Sequence, residues 1–248
     1  MSPRPTVLVV AATDSSGGAG ITRDVQVLAD FSVDARCVIT AVTAQSDSQV
    51  SAVHHIAPAI IRAQVAAAFE TGRVSVIKIG MLGNRASVDA IIDSLPQDVS
   101  IPIVLDPVLV STSGGMLLDA GGRDAMRRNL LPRAALVTPN VPEAAALLDA
   151  DIASNEAELI EQAQRLLQLG PQAVLIKGGH WSGAEAVDLL VSRTYGPHRI
   201  PSPRLRATKR GTGCALASAI AAGMASGMSL LDACGYAKRY VLQMLRRQ

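Results

Sequence analysis

The sequence predicts an α/β fold, a three-layer α/β/α sandwich with a central, mostly parallel sheet, carried by one domain over residues 1–248. Two observations predict it. Short β-branched runs alternate with longer Ala/Leu-rich stretches from Thr6 to the C-terminus, the pattern of successive βαβ units. Apolar residues make up 49% of the chain but aromatics only 2%, so the core must be packed from Ala, Val, Leu and Ile, as in a sheet covered by helices on both faces.

The elements follow in order. Thr6–Ala11 (TVLVVA) reads as a strand and Gly18–Phe31 as a helix. Arg36–Val42 is a strand, followed by a polar loop and a helix from Pro58 to Phe69. Val74–Ile79, Ile103–Leu105 and Ala135–Val137 are further strands, with helices over Ala86–Leu95 and Met116–Leu130 between them. Glu156–Leu169 is a helix with Asn155 or Ser154 in position to cap it. Ala173–Ile176 is a strand, Ala186–Val191 and Pro197–Ile200 form a hairpin-type pair, and Cys214–Ser226 and Leu230–Leu245 are the last two helices. Ser46–Val53 and Val110–Gly115 are expected as mobile loops. There is no internal repeat, low-complexity run or linker that divides the chain.

Composition excludes several classes of function. A net charge of +2 argues against a nucleic-acid or anionic-membrane partner, and the chain lacks both a basic stripe and aromatic stacking residues. Much of the surplus lies in Lys238, Arg239, Arg246 and Arg247, which by themselves read as a solvated helix end. Cys37, Cys214 and Cys234 cannot all pair and lack metal-site spacing, so a reduced cytoplasmic setting is expected. Met1–Pro5 has no secretory-leader pattern, and no run approaches the ~18 apolar residues of a membrane span.

In open parallel sheets ligands bind beyond the carboxyl ends of the strands, and the chemistry-bearing residues fall in those loops. The strongest signal is Arg210-Gly211-Thr212-Gly213-Cys214 directly before a small-residue helix. Its glycines permit close backbone approach, and the free N–H groups of the helix start form an anion site suited to a phosphoryl group in transfer. Cys214 sits where a thiol pKa is expected to fall, as a base toward a substrate hydroxyl or else as a buried structural cysteine. At the end of the first strand, Ala12–Gly20 is glycine-rich but matches neither a dinucleotide fingerprint nor a P-loop. Asp14 and Asp24 there can bind substrate polar groups or act as caps. Asn140 and Glu143 share one side of a starting helical turn, as a magnesium-binding acid with its neighbour or as a simple cap. Lys177-Gly178-Gly179 places an ammonium where it can reach nucleotide phosphates.

Seven motifs in order carry a resemblance over about Val7 to Tyr240. They are D-x-S-G-G-A-G-I (Asp14–Ile21), V-I-T-A-V-T-A-Q (Val38–Gln45), K-I-G-M-L (Lys78–Leu82), V-L-D-P-V (Val104–Val108), T-P-N-x-P-E-A (Thr138–Ala144), K-G-G-H (Lys177–His180) and G-T-G-C (Gly211–Cys214). Together they resemble the hydroxymethylpyrimidine/phosphomethylpyrimidine kinases of thiamine biosynthesis, within the ribokinase-like superfamily. The resemblance implies ATP and Mg2+, two successive phosphorylations of a hydroxymethylpyrimidine, and a homodimer. It matches Asp24 and Gln45 to the pyrimidine's polar edge, and Met81 and Val108 to its apolar walls. Glu143 is matched to the metal, Asn140, Thr212 and Lys177 to the phosphates, and Lys238 to a position near the nucleotide. Gly211, Thr212, Gly213 and Cys214 are matched to the anion hole and catalytic base.

Four positions depart from the family pattern: Ala12 for a usual Gly, Arg210 for His, Ala215 for Thr and Ser46 for Asn. Ala12 adds a methyl beside the expected pyrimidine and keeps a pyridoxal- or pyridoxine-type kinase as the rival reading. A non-catalytic pyrimidine-binding protein is the alternative of another class, and the presence of Cys214, Glu143 and the flanking glycines counts against it.

Overall fold

The computed structural model of the chain describes residues 4–46, 49–96, 101–110, 115–180, 184–206 and 209–247. Its strands are β1 (Thr6–Asp14), β2 (Asp34–Gln45), β3 (Val50–His55), β4 (Val76–Ile79), β5 (Ile103–Leu105), β6 (Leu136–Val137), β7 (Ala173–Ile176), β8 (Glu185–Ser192) and β9 (His198–Pro203). Its helices are α1 (Gly20–Asp30), α2 (Pro58–Glu70), α3 (Arg85–Ser94), α4 (Ala120–Ala125), α5 (Val141–Leu148), α6 (Glu156–Gln168), α7 (Thr212–Ala225) and α8 (Leu230–Arg246).

Among the described residues the strands form one sheet in the order β3-β2-β1-β4-β5-β6-β7-β8-β9. The six strands β2, β1, β4, β5, β6 and β7 run parallel, while β3, β8 and β9 add antiparallel pairings at the edges. Successive side chains of a strand point to opposite faces, and β1 serves two cores accordingly. Leu8 and Val10 pack with Ile61, Val65, Ile91 and Leu147 from the α2–α6 layer. Val7, Val9 and Ala11 pack with Val27, Leu28, Leu216 and Ile220 from the layer of α1, α7 and α8. The three-layer expectation therefore holds, and α7 is buried over most of its Ala-rich length.

Two readings are corrected. The polar loop expected after Val42 is largely strand, because β2 continues to Gln45 and β3 pairs back on it. Val50–Val53, expected in a mobile loop, lie in this pair, whereas residues 47–48 and 111–114 of the two expected loops are outside the described residues. The helix expected from Met116 begins only at Ala120, where Asp119 accepts from the Gly122 N–H and caps it. It then widens into a π-helical turn over Met126–Leu130. Asn155 caps α6 as expected, accepting from the Glu158 N–H. Cys37, Cys214 and Cys234 are all free, and among the described residues no helix is long and apolar enough to cross a membrane.

Lys78 is a charged side chain in an otherwise apolar strand. On β4 the alternation that sends Val76 toward α1 and α7 sends Lys78 the same way, and the side chain is fully buried. Its Nζ donates to Asp24 Oδ2 of α1 at 2.8 Å, and Ser218 Oγ of α7 donates to Asp24 Oδ1 at 2.7 Å. Burial pulls the Lys78 ammonium down, but the Asp24 carboxylate, with Cys214 and Asp106, outweighs it and holds the group above the ordinary lysine range. Lys78→Met strands the carboxylate, so urea unfolding should show a loss of about 3–5 kcal/mol. The paired variant K78M/D24N should recover part of that loss, and a K78M protein as stable as wild type would refute the assignment.

Candidate active site

Because β1, β2, β4, β5, β6 and β7 are parallel, their carboxyl ends share one edge, and a cavity of about 500 Å³ opens there. β1 contributes Ala12, Thr13 and Asp14, β2 contributes Gln45, and the turn after β4 contributes Met81. The loop after β5 brings Asp106 and Val108, that after β6 Asn140 and Glu143, and that after β7 Lys177 and Gly179. The start of α7 closes the cavity with Gly211, Thr212, Gly213 and Cys214, preceded by Arg210.

The electrostatic centre is Lys177. Its Nζ lies 2.7 Å from Asp106 Oδ1 and 3.7 Å from Glu143 Oε2. A Cβ on Gly213 would stand 3.3 Å from the same nitrogen, so the ammonium abuts the α7 amide turn. Burial works against the charge, but Asp106 and Glu143 prevail and raise the Lys177 pKa above its ordinary value. Thr138 Oγ1 also donates to Asp106 Oδ1 at 3.2 Å. Burial pushes the Glu143 carboxyl up, against Lys177, with Asp106 raising it further and the amides of Asn140 and Leu109 opposing. Both readings of the Asn140/Glu143 pair hold together. The Asn140 side chain accepts from the Glu143 N–H and Glu143 Oε2 from the Asn140 N–H, each at 2.8 Å, a full capping box on a carboxylate that also faces the cavity.

Arg210 fastens two loops. Its Nη2 donates to Asp14 Oδ2 at 2.8 Å, and its Nη1 to Ser16 Oγ at 3.0 Å and the Ser46 carbonyl at 2.6 Å. Asp14 in turn accepts from the amides of Ser16 and Ala19, so it caps the turn while lining the cavity. Gly211 sits at φ +74°, and a Cβ there would meet the Gly18 carbonyl oxygen at 2.2 Å. Only glycine lets the two turns approach this closely.

Ala12, Gln45, Met81, Val108, Asn140, Glu143, Lys177, Gly211, Thr212, Gly213 and Cys214 are thus brought together as expected. Two are not. Asp24 lies beneath the floor in its pair with Lys78, and Lys238 lies behind the β7–β8 turn against Asp188; neither lines the cavity. Nor is Lys238 part of a solvated helix end, since it is buried mid-helix in α8. The expected fall in the Cys214 pKa is also corrected. Burial pushes the thiol up to about 11, with Asp24 and Asp106 adding to it, and Lys78 and the Gly20 amide oppose without reversing it. Desolvation outweighs the helix N-terminus at this depth. Asp106 had no assigned role, although it stands at the strand-end position that the V-L-D-P-V motif marks.

A parallel sheet with a glycine-bounded helix start, a lysine and two carboxylates on one edge defines a ribokinase-like small-molecule kinase, and the solved structures agree. A phosphomethylpyrimidine kinase from Clostridium difficile 630 superposes with a TM-score of 0.85 at 34% identity, covering 98% of this chain and 99% of that one. A Staphylococcus aureus pyridoxal kinase in complex with AMP-PCP and pyridoxal gives 0.89 at 26% identity, covering 98% and 88%. The family model described as "Phosphomethylpyrimidine kinase" matches residues 14–248, and the chain belongs to that family. The hydroxymethylpyrimidine/phosphomethylpyrimidine kinase of Rhizobium meliloti is 42% identical over 94% of this chain and 88% of its own. The thiamine biosynthesis bifunctional protein of Geobacter sulfurreducens is 41% identical over 98% of this chain, which spans half of that protein's length.

The two turn glycines should respond differently to a methyl group. Gly211→Ala should lower stability by about 1–3 kcal/mol in urea titration through left-handed strain and loop separation. Gly179→Ala, whose Cβ would meet nothing within 4 Å, should leave it unchanged. Equal effects would contradict the close approach at Gly211.

Proposed function

We propose that this chain transfers the γ-phosphoryl group of ATP to the hydroxymethyl group of 4-amino-5-hydroxymethyl-2-methylpyrimidine and then phosphorylates the monophosphate to the diphosphate. The observation that carries the reading is the meeting of the Lys177 ammonium and the Gly211–Cys214 helix start at one end of the cavity. Gln45, Met81 and Val108 line the same cavity and suit a flat heteroaromatic with one polar edge. The names of the relatives at about 40% identity support the same substrate.

In this reading the substrate hydroxyl oxygen attacks the γ-phosphorus in line, the bond to the β,γ-bridging oxygen breaks, and its electron pair leaves with ADP. Charge spreads over the transferring oxygens, where the Gly211–Cys214 amides and Lys177 Nζ receive it. Asn140 and Thr212 hold the flanking phosphates. The hydroxyl proton passes to Cys214 Sγ as thiolate, the minor form at neutral pH given the raised thiol pKa. Glu143 fits a divalent cation, because one fixed carboxylate plus substrate phosphates is the usual magnesium donor set. Bound there, Mg2+ would neutralise phosphate charge. A homodimer and a cytoplasmic setting belong to the same reading and rest on the family resemblance and the three free cysteines.

Pyridoxine is the second acceptor to weigh, because Ala12 lines the cavity and the solved relatives include a pyridoxal kinase. ATP turnover with magnesium, offering the hydroxymethylpyrimidine, its monophosphate and pyridoxine in parallel, decides between them. The expected result is turnover of both pyrimidines; turnover of pyridoxine alone would overturn the substrate, and Ala12→Gly would then be the first variant to make.

Two further outcomes test the chemistry. Cys214→Ser should lower kcat about 10²–10⁴-fold with little change in substrate binding, and wild-type turnover would refute the base role. A base that must be deprotonated and titrates near 11 gives a kcat/KM that climbs steadily from pH 7 to 9, about tenfold per unit. A plateau from pH 7 upward would show that the thiol ionises far lower once substrate is bound. Glu143→Gln should raise the magnesium concentration needed for half-maximal rate, and an unchanged titration would contradict its assignment.

A further inference from the structure

The turn that presents Lys177 is held from behind by a buried ion pair. On its near side the Lys177 N–H donates to the Pro139 carbonyl at 2.8 Å, tying the turn to the loop after β6. On its far side the Gly178 N–H donates to Asp188 Oδ1 of β8 at 3.0 Å, and Lys238 Nζ of α8 donates to the same oxygen at 2.7 Å. Asp188 is 2% exposed and Lys238 8%. The backbone of Gly178 lies so close to β8 that a Cβ there would stand 1.7 Å from the Val187 carbonyl oxygen. One strand therefore holds the turn both through the Asp188 carboxylate and by direct backbone packing. The Gly179 carbonyl accepts from Arg204 Nη1 at 2.8 Å, and Gly179 itself faces the cavity.

We propose that Lys238 and Asp188 are positioning residues for the nucleotide side of the site: the pair anchors the Gly178 amide and so fixes the Lys177–Gly179 turn against the phosphates, without Lys238 touching the nucleotide. A carboxylate this deeply buried is under-compensated by one amide donor. Without the ammonium, Asp188 Oδ1 keeps the Gly178 amide but loses the contact that fixes its position, so the Gly178 N–H is held less firmly. Lys177 is the next residue, so the displacement passes to its ammonium, where small misplacements of a catalytic group are costly. The acceptor side is built from the ends of β1, β2, β4 and β5, and among the described residues none of those turns bonds to the Asp188 side chain.

This inference rests on the kinase reading, and calorimetry separates the two. The β,γ-methylene analogue of ATP, with magnesium, and the hydroxymethylpyrimidine are titrated separately into wild type, K238M, K238R, D188A and K238M/D188A. Wild type that neither binds the analogue nor turns over the pyrimidine sinks the kinase reading itself. With wild type active, K238M should weaken analogue binding by about tenfold or more and leave acceptor binding within about twofold. K238R should restore most of the loss, and the double variant should be no weaker than D188A, since both changes break one contact. Analogue binding unchanged in folded K238M overturns the proposal, as does equal weakening of both ligands. Losses that add in the double variant overturn it too, because they mean that Lys238 meets the nucleotide directly. Should K238M not fold, K238Q is judged by the same criteria.

Discussion

The site depends on one ammonium held between two buried carboxylates. Asp106 and Glu143 follow β5 and β6 and Lys177 follows β7, three strands that are neighbours in the sheet and run the same way. Parallel pairing places their exits side by side, so groups 71 residues apart in sequence meet at 2.7 Å. Burial disfavours charge on both Lys177 and Glu143, and on the lysine the two carboxylates outweigh it. The cluster is therefore pre-formed, with its positive charge turned toward the α7 amides. In the proposed reaction the transferring phosphate would meet a fixed field there, with none to reorganise.

A second buried pair repeats the device one layer down. Lys78 and Asp24 lie between the sheet and the helices α1 and α7, and Ser218 on α7 completes the contact. Ser218 is one turn from Cys214, so the same network that locks α7 onto the sheet also sets the depth of the thiol. The Ala-rich sequence of α7 lets it lie close enough to the strands for this to work, since larger side chains would hold the helix off. The resulting desolvation keeps Cys214 protonated at rest, against the pull of the helix start.

Much of this was legible in the sequence, because the signals were local. Buried parallel strands are continuous β-branched runs, and Ile103–Leu105 and Ala173–Ile176 were placed to the residue. Glycine turns and caps announce themselves within four residues, as Gly211–Cys214, Asn140–Glu143 and Asn155 did. β3 was missed because an exposed edge strand reading VSAVHH needs no apolar alternation. The expected start of α4 is too early because the apolar run Met116–Leu118 leads straight into the helix, although it precedes the Asp119 cap. Asp24, by its place after the first strand and by motif, and Lys238, by motif alone, are expected at ligands. Their partners lie 54 and 50 residues away, and burial, which no spacing reveals, turns them inward. Asp106 was passed over for the same reason, as its importance lies in its bond to Lys177 and not in its neighbours.

In the proposed reaction, phosphoryl transfer occurs between Lys177 and the α7 amide turn. Its most direct test is a crystal structure with ADP, magnesium, the hydroxymethylpyrimidine and aluminium fluoride as a mimic of the phosphoryl group in flight. The account predicts the mimic seated on the Gly211–Cys214 amides, with Lys177 Nζ within hydrogen-bond distance and the acceptor hydroxyl in line beside Cys214 Sγ. A mimic bound away from both the amides and Lys177 would contradict it.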